Sequence, residues 1–88
     1  MSQVFQECSS LTDIVIPSNV TSIGDMTFEK CTNLNSVTVY ALTPPTLGSN
    51  VFDNNAAGRK IYVPAASVNL YKVANNWSIY TDDIEAIV

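Results

Sequence analysis

The feature that most constrains the fold of this chain is an internal repeat. Five residues recur 23 positions later in the same order: Phe5, Cys8, Leu11, Ile14 and Ile16 reappear as Phe28, Cys31, Leu34, Val37 and Val39. A third copy, offset by 24, keeps Phe52, Ile61 and Val63 but has Asn55 and Gly58 at the Cys and Leu positions. Repeats of this length indicate a fold in which each copy packs only against its neighbours.

Each copy carries two apolar residues separated by one position, which is the spacing of one face of a β-strand. The pairs are Ile14/Ile16, Val37/Val39, Ile61/Val63 and Ile84/Ala86. A strand this short cannot bury its apolar face alone, so we expect the copies to stack at roughly 4.8 Å into a parallel sheet above a continuous core. The pattern predicts parallel strands near residues 13–16, 36–39, 60–63 and 83–86.

The repeat motif Phe5-x-x-Cys8-x-x-Leu11-x-x-Ile14-x-Ile16-Pro17 closely resembles that of BspA-like and treponemal leucine-rich-repeat proteins. The C-terminal part, with Pro44-Pro45, Ile61-Tyr62-Val63-Pro64 and Trp77, is similar to the end of such arrays. The resemblance implies an α/β, mostly β fold: a right-handed solenoid of short parallel strands with one C-terminal capping helix. It also implies a secreted or cell-surface bacterial protein that mediates protein binding or adhesion, although no signal sequence is present in this chain.

We interpret residues 1–88 as a single leucine-rich-repeat domain with repeats at about 5–27, 28–51 and 52–74 and an ending strand at 83–87. One segment departs from the repeat, because Leu70, Val73, Ala74 and Trp77 follow the spacing of one helical face. This spacing predicts a helix over about 67–77 that buries those four residues, with Ser67 as its N-cap. A helix there would cover the open end of the core.

The residue types present argue against catalysis and against a metal or cofactor site. The chain contains no His and only two Cys, so it lacks His-based triads and cannot complete a zinc site from Cys and His. Its net charge of −4 and the lack of a basic run beyond Arg59-Lys60 argue against nucleic-acid binding. No stretch approaches the roughly 20 apolar residues that membrane insertion requires.

The charged and polar clusters have structural interpretations with functional alternatives. Asp82, Asp83 and Glu85 form the densest acidic group, which we interpret as a solvated face, the alternative being a cation site. The run at 53–55, Asp-Asn-Asn, resembles the start of a calcium loop, but a turn is the simpler interpretation because no ligand pattern follows. Arg59-Lys60 is expected to be solvated at the turn before the third strand.

Cys8 and Cys31 occupy the same repeat position and are therefore expected to lie one above the other. Two interpretations stay open: a pair of buried thiols, or a disulfide, since the spacing of neighbouring strands falls within the range a disulfide tolerates. Asn19-Val20-Thr21 and Asn76-Trp77-Ser78 match the glycosylation acceptor pattern. Given the bacterial resemblance, we interpret both matches as chance.

The alternation that sends the paired residues inward sends their neighbours outward. The outer face of the predicted sheet then carries Asp13, Val15, Ser36, Thr38, Lys60, Tyr62, Asp83 and Glu85. We predict that a protein or surface ligand contacts these columns, with Tyr62 as the anchor, because aromatic side chains dominate interface energetics. The alternative is that the chain serves only as the structural end of a longer array.

The N-terminal end begins directly on Val4, Phe5, Cys8 and Leu11, with no predicted segment to cover them. Unpaired strand edges and exposed apolar ends recruit other chains. We therefore expect self-association through this end, as a two-fold homodimer. The alternative is that residues 1–12 fold back and shield it.

Overall fold

The structure is a computed structural model that describes residues 9–87. Its strands are short and alternate with irregular connections: β1 (Asp13–Ile16), β2 (Ser22–Ile23), β3 (Ser36–Val39), β4 (Thr46–Leu47), β5 (Lys60–Val63) and β6 (Ile84–Ala86). One α-helix, α1 (Val68–Val73), follows a 3-10 turn at Ala65–Ser67 and precedes a kinked 3-10 segment at Trp77–Asp83. No helix within residues 9–87 is long and apolar enough to cross a membrane.

The long strands form one parallel sheet in the order β1-β3-β5-β6, and β2 pairs with β4 in a smaller parallel sheet. The register places Ile14 opposite Val37, Val37 opposite Ile61, and Ile61 opposite Ile84. This is the pairing that the 23/24/23 spacing predicts, and the parallel strands are confirmed. The result is an α/β repeat fold of mostly parallel strands with a few short helices.

Identical repeat positions form continuous columns in the core. The pairs inside the sheet, from Val37/Val39 to Ile61/Val63, are fully buried. On the opposite side, the rings of Phe28 and Phe52 stack at 5.8 Å with an angle of 2° between their planes. Apolar burial is worth about 25 cal/mol per Å², so each added copy extends the core by covering its predecessor.

The irregular connections also repeat their geometry. Met26 and Asn50 both adopt left-handed backbone conformations, and so do Lys30 and Asn54, each pair 24 positions apart. The N–H groups of Met26, Phe28 and Lys30 donate to carbonyls of the next copy at 2.9–3.1 Å. The segment at 53–55 is part of this turn path, as predicted. Asn55 occupies the repeat position equivalent to Cys31, and its side chain donates to the Phe28 carbonyl at 2.8 Å.

The prediction for the C-terminal helix is wrong in its length and in its buried face. The α-helix covers only Val68–Val73, and Leu70 and Val73 are 53% and 79% exposed. The side chains that enter the core are Tyr71 and Trp77. Asn76 has a left-handed φ of 65°, so the chain turns before Trp77 and the helical spacing does not extend to that residue.

We call residues 65–83 the terminal segment, because its side chains cover the preceding copies. Ser67 is the N-cap residue of α1, as predicted, but its side chain makes no capping hydrogen bond, because its hydroxyl donates to the Leu42 carbonyl at 2.6 Å. Three further donors bind carbonyls of the same stretch: Tyr71 Oη to Ala41 at 2.6 Å, Trp77 Nε1 to Pro45 at 2.8 Å and Asn76 Nδ2 to Leu47 at 2.7 Å. The helix is therefore held by side-chain-to-backbone hydrogen bonds and by the packing of Val68 and Tyr71, rather than by the predicted face with Leu70 and Val73.

The rings of the terminal segment also complete the aromatic column. Phe52 meets Trp77 at 5.9 Å and Tyr80 at 5.4 Å, the latter edge-on, and Tyr71 packs edge-on against Trp77 at 5.0 Å. The Tyr80 hydroxyl accepts the Phe52 N–H at 3.3 Å and donates to Asp53 Oδ1 at 3.0 Å. Thus the terminal segment continues both the packing and the hydrogen bonding of the repeats.

Two predictions concern residues outside the described range. Cys31 is buried, but Cys8, its partner in the predicted thiol pair or disulfide, lies outside residues 9–87. Val4 and Phe5, which carry most of the predicted self-association, also lie outside it. β1 is the edge strand of the four-stranded sheet, with Leu11 half-buried beside the core. The predicted homodimer stays a prediction.

Gly48 provides a test of how closely the copies approach each other. A Cβ at this position would lie 2.6 Å from the Asp25 nitrogen and 2.8 Å from its Cα, so the two backbones would have to move apart. We expect Gly48→Ala to lower the free energy of unfolding by about 1–3 kcal/mol, as overpacking does. Urea denaturation measures this. The control is Ser49→Ala at the exposed neighbour, and equal stability of the two variants would contradict the close approach.

The two buried phenols predict a loss of stability at high pH. Burial raises the pKa of Tyr71 and of Tyr80 to about 12, above the value of about 10 for an unfolded chain. The protonated phenols therefore contribute to the free energy of unfolding below pH 10, and this contribution is lost as the pH rises through about 12. We expect urea midpoints to fall over this window, and to fall less in the double variant Tyr71→Phe/Tyr80→Phe. If the urea midpoint of the double variant falls with pH as steeply as that of the unsubstituted chain, the two phenols are not the cause of the loss.

Candidate functional site

The outer face of the four-stranded sheet forms two cross-strand rows. The pairing registers put Val15 beside Thr38, Thr38 beside Tyr62, and Tyr62 beside Glu85. A second row runs through Asp13, Ser36 and Lys60. The structure therefore brings seven of the eight predicted residues onto the face of the strands, since Asp83 precedes β6.

The exposure of these residues varies across the sheet. Val15 is 62% exposed, and Asp13 and Glu85 are also exposed, whereas the central residues are half-buried. Tyr62 lies in the middle of its row, between Thr38 and Glu85. A half-buried ring on a hydrogen-bonded sheet loses little conformational entropy on binding. Residues that carry most of the binding energy in an interface are often aromatic and well packed in this way.

The charges on the outer face are paired. Lys60 Nζ lies 3.1 Å from Glu85 Oε2, on the neighbouring strand. The hydrogen bond that Lys60 donates to Glu85, followed by the negative charge of Glu85, raises the pKa of Lys60. Because both side chains are well exposed, the pair contributes more to the charge pattern than to stability. The face therefore presents an aromatic ring between a neutralised charge pair and an apolar valine.

Asp83 and Arg59 do not have the environments predicted for them, although Arg59 does lie at the turn before β5. Asp83 lies at the end of the 3-10 segment, and its Oδ2 accepts from Arg59 Nη2 at 2.7 Å. Arg59 was expected to be solvated, but its side chain is buried and also donates to the Phe52 carbonyl and, at 3.3 Å, to Asn55 Oδ1. Its guanidinium lies 4.9 Å from the centre of the Tyr80 ring.

These contacts give the acidic group a structural role. Asp83 neutralises a buried cation while its own side chain is 36% exposed, and Asp82 and Glu85 are exposed. The buried charge is tolerated because Arg59 has both an anionic partner and carbonyl acceptors. Among residues 9–87, no group of three or more His, Cys, Asp or Glu side chains is placed to hold a metal ion.

Sequence reasoning missed Tyr40 as a surface aromatic residue. It follows β3 directly, and its N–H donates to the Ile16 carbonyl at 3.0 Å, which continues the ladder by one residue. Its side chain is 49% exposed. The alternation that placed Ser36 and Thr38 outward would also have placed Tyr40 outward if it had been followed two positions further. The outer face therefore carries two tyrosines rather than one.

The sequence of this chain matches a known repeat family over most of its length. Residues 1–82 match a family model described as BspA type leucine rich repeat region (6 copies). The chain belongs to the BspA-type leucine-rich-repeat family. No curated protein matches it. The match covers β1 to β5 and the aromatic column, whereas β6 (Ile84–Ala86) lies after it.

Membership in the BspA-type family narrows the functional classes. Its repeat regions are generally non-enzymatic and suggest modules that mediate protein interactions. On the outer sheet face of this chain, Val15, Tyr40 and Tyr62 are not part of the buried core. The buried columns, in contrast, are explained by the stacking of the copies alone.

The Arg59–Asp83 pair predicts a stability difference between adjacent aspartates. Replacing Asp83 by Asn leaves the buried guanidinium without its anionic partner. We expect Asp83→Asn to lower the free energy of unfolding by about 1–3 kcal/mol, the range for a hydrogen bond to a charged group. Asp82→Asn, at an exposed site, is the matched control. If urea denaturation finds the same stability for both variants, the pair is not a structural element.

Proposed function

We propose that this chain is a non-enzymatic binding module of a secreted or cell-surface bacterial protein, and that it mediates adhesion by binding a protein partner. We further propose that its copies form a right-handed solenoid with the repeat boundaries predicted from the sequence. Family membership supports a protein-binding role, and members of this family are typically secreted or surface proteins. The lack of any imidazole in the chain agrees with a role without acid–base chemistry at neutral pH.

The observation that carries this proposal is the row Val15–Thr38–Tyr62–Glu85. It combines an exposed apolar side chain, a central aromatic ring and a terminal carboxylate on four consecutive parallel strands. Because neighbouring strands lie about 4.8 Å apart, the row spans roughly 15 Å of rigid surface. A surface of this kind offers an aromatic anchor with a polar surround, as is found at the centres of protein interfaces.

A structural role has its own support. The terminal segment donates four side-chain hydrogen bonds to carbonyls between Ala41 and Leu47 and extends the aromatic column with Trp77 and Tyr80. These are the contacts that another copy would otherwise provide. The second candidate function is therefore that of a cap that ends a longer array and binds no ligand of its own.

The binding proposal is tested with surface plasmon resonance over a panel of immobilised extracellular-matrix proteins. For a panel member that binds, we expect Tyr62→Ala to weaken the affinity by about tenfold or more, because aromatic anchors carry at least ~1.4 kcal/mol. Tyr62→Phe should retain most of the affinity, because it keeps the ring.

The matched control is Leu70→Ala, which removes an exposed apolar side chain from α1 rather than from the outer face. An equal loss with Leu70→Ala and Tyr62→Ala would place the contact elsewhere. Failure of the chain to bind any panel protein would favour the cap.

A further inference from the structure

A groove of about 440 Å³ lies beside the outer face, where the chain leaves β1 and β3. Its walls come from two loops, one at residues 18–21 and one at residues 40–45. The lining residues are Ser18, Val20, Thr21, Tyr40, Ala41, Leu42, Thr43, Pro44 and Pro45. The volume falls within the ~300–1,000 Å³ range of small-molecule sites.

We propose that this groove binds a neutral saccharide, with Tyr40 as the stacking platform and the hydroxyls of Ser18, Thr21 and Thr43 as its hydrogen-bonding groups. This site is separate from the row through Tyr62 that carries the proposed protein contact. A saccharide in this groove would be a second class of ligand for the chain, beside the proposed protein partner.

Tyr40 supplies the first part of the argument. Half of its side chain is exposed although it lines a concave surface, and its neighbour Leu42 is 66% exposed. The face of an aromatic ring is the negative side of its quadrupole. The axial C–H groups of a pyranose form an apolar, slightly positive surface that matches such a face. An exposed tyrosine beside polar groups is therefore suited to one face of a sugar ring.

The side-chain hydroxyls supply the second part. The side-chain hydroxyls of Ser18, Thr21 and Thr43 make no hydrogen bonds to other groups within residues 9–87, so they are available to a ligand. A hydroxyl both donates and accepts, which is also true of each hydroxyl of a sugar. Among residues 9–87, no charged side chain lines the groove, so these residues offer a charged ligand no counter-charge. This combination favours a neutral, hydroxyl-rich ligand.

The backbone carbonyls argue against a peptide as the occupant. A peptide in an extended conformation needs main-chain acceptors for its N–H groups. Here the carbonyl of Thr21 accepts from the Thr46 N–H at 3.0 Å, and those of Ala41, Leu42 and Pro45 accept from the terminal segment. Pro44 and Pro45 have no N–H to donate. The groove also carries four side-chain hydroxyls, those of Ser18, Thr21, Tyr40 and Thr43.

The groove is also held in place before any ligand arrives. Proline fixes φ at two consecutive lining positions, and the terminal segment binds the backbone of three lining residues. A site that is already ordered loses less conformational entropy on binding. Its rigidity depends on the terminal segment, which connects the C-terminal part of the chain to the ligand-binding loops.

The test is a titration of the ¹⁵N-labelled chain followed by heteronuclear NMR. The probes are lactose, cellobiose, maltose and N-acetyllactosamine, with sialyllactose as the charged counterpart and a proline-rich peptide as the competing class. We expect at least one neutral disaccharide to shift amide signals of residues 18–21 and 40–43, and sialyllactose to bind no more tightly than lactose. No shift with any saccharide, or shifts with the peptide alone, would overturn the proposal.

Variants separate stacking from hydrogen bonding. We expect Tyr40→Ala to weaken binding of the active disaccharide about tenfold or more, and Tyr40→Phe to retain it within about threefold. Thr43→Val keeps the shape but removes a hydroxyl, and should weaken binding about three- to tenfold. Leu70→Ala, outside the groove, is the control for folding and should match the unsubstituted chain. Retained binding in Tyr40→Ala would overturn the assignment of the platform.

Discussion

The structure depends on one constraint: each parallel strand and each connection must be hydrogen-bonded and covered by the next copy. Parallel strands leave donors and acceptors along both outer edges, and a short strand cannot bury its own apolar face. The columns from Val37 to Ile61 and from Phe28 to Phe52 meet this requirement by repetition. The connection at residues 41–47 meets this requirement in a different way. The terminal segment covers this connection with side chains, among which Tyr71 and Trp77 replace backbone donors and core residues together.

The parts that could be predicted from sequence are those that this constraint repeats. The strands around Ile14, Val37, Ile61 and Ile84 could be predicted from spacing. Period-two alternation marks each strand, and the nearly constant repeat length places equivalent residues opposite each other in a parallel sheet. The outer row followed from the same alternation. Tyr40 was missed because the alternation was stopped at the end of the strand, although the ladder continues past it.

The terminal segment could not be predicted in the same way, because it occurs once. Leu70 and Val73 have helical spacing with Trp77, yet six helical residues followed by a left-handed Asn76 leave those two side chains exposed. Arg59 shows the same limitation, since nothing local indicates that its charge meets Asp83, 24 positions later. Periodicity identifies contacts between equivalent positions, whereas these contacts join positions that have no equivalents.

The acceptors used by the terminal segment determine which substitutions the loop from Ala41 to Leu47 tolerates. Ser67, Tyr71, Asn76 and Trp77 all donate to main-chain carbonyls, which every residue carries whatever its side chain. Mutations in the loop from Ala41 to Leu47 therefore leave these acceptors in place as long as the path of the chain is kept. Variation in this loop is therefore limited by the path of the backbone, which Pro44 and Pro45 restrict, rather than by the side chains that face the terminal segment.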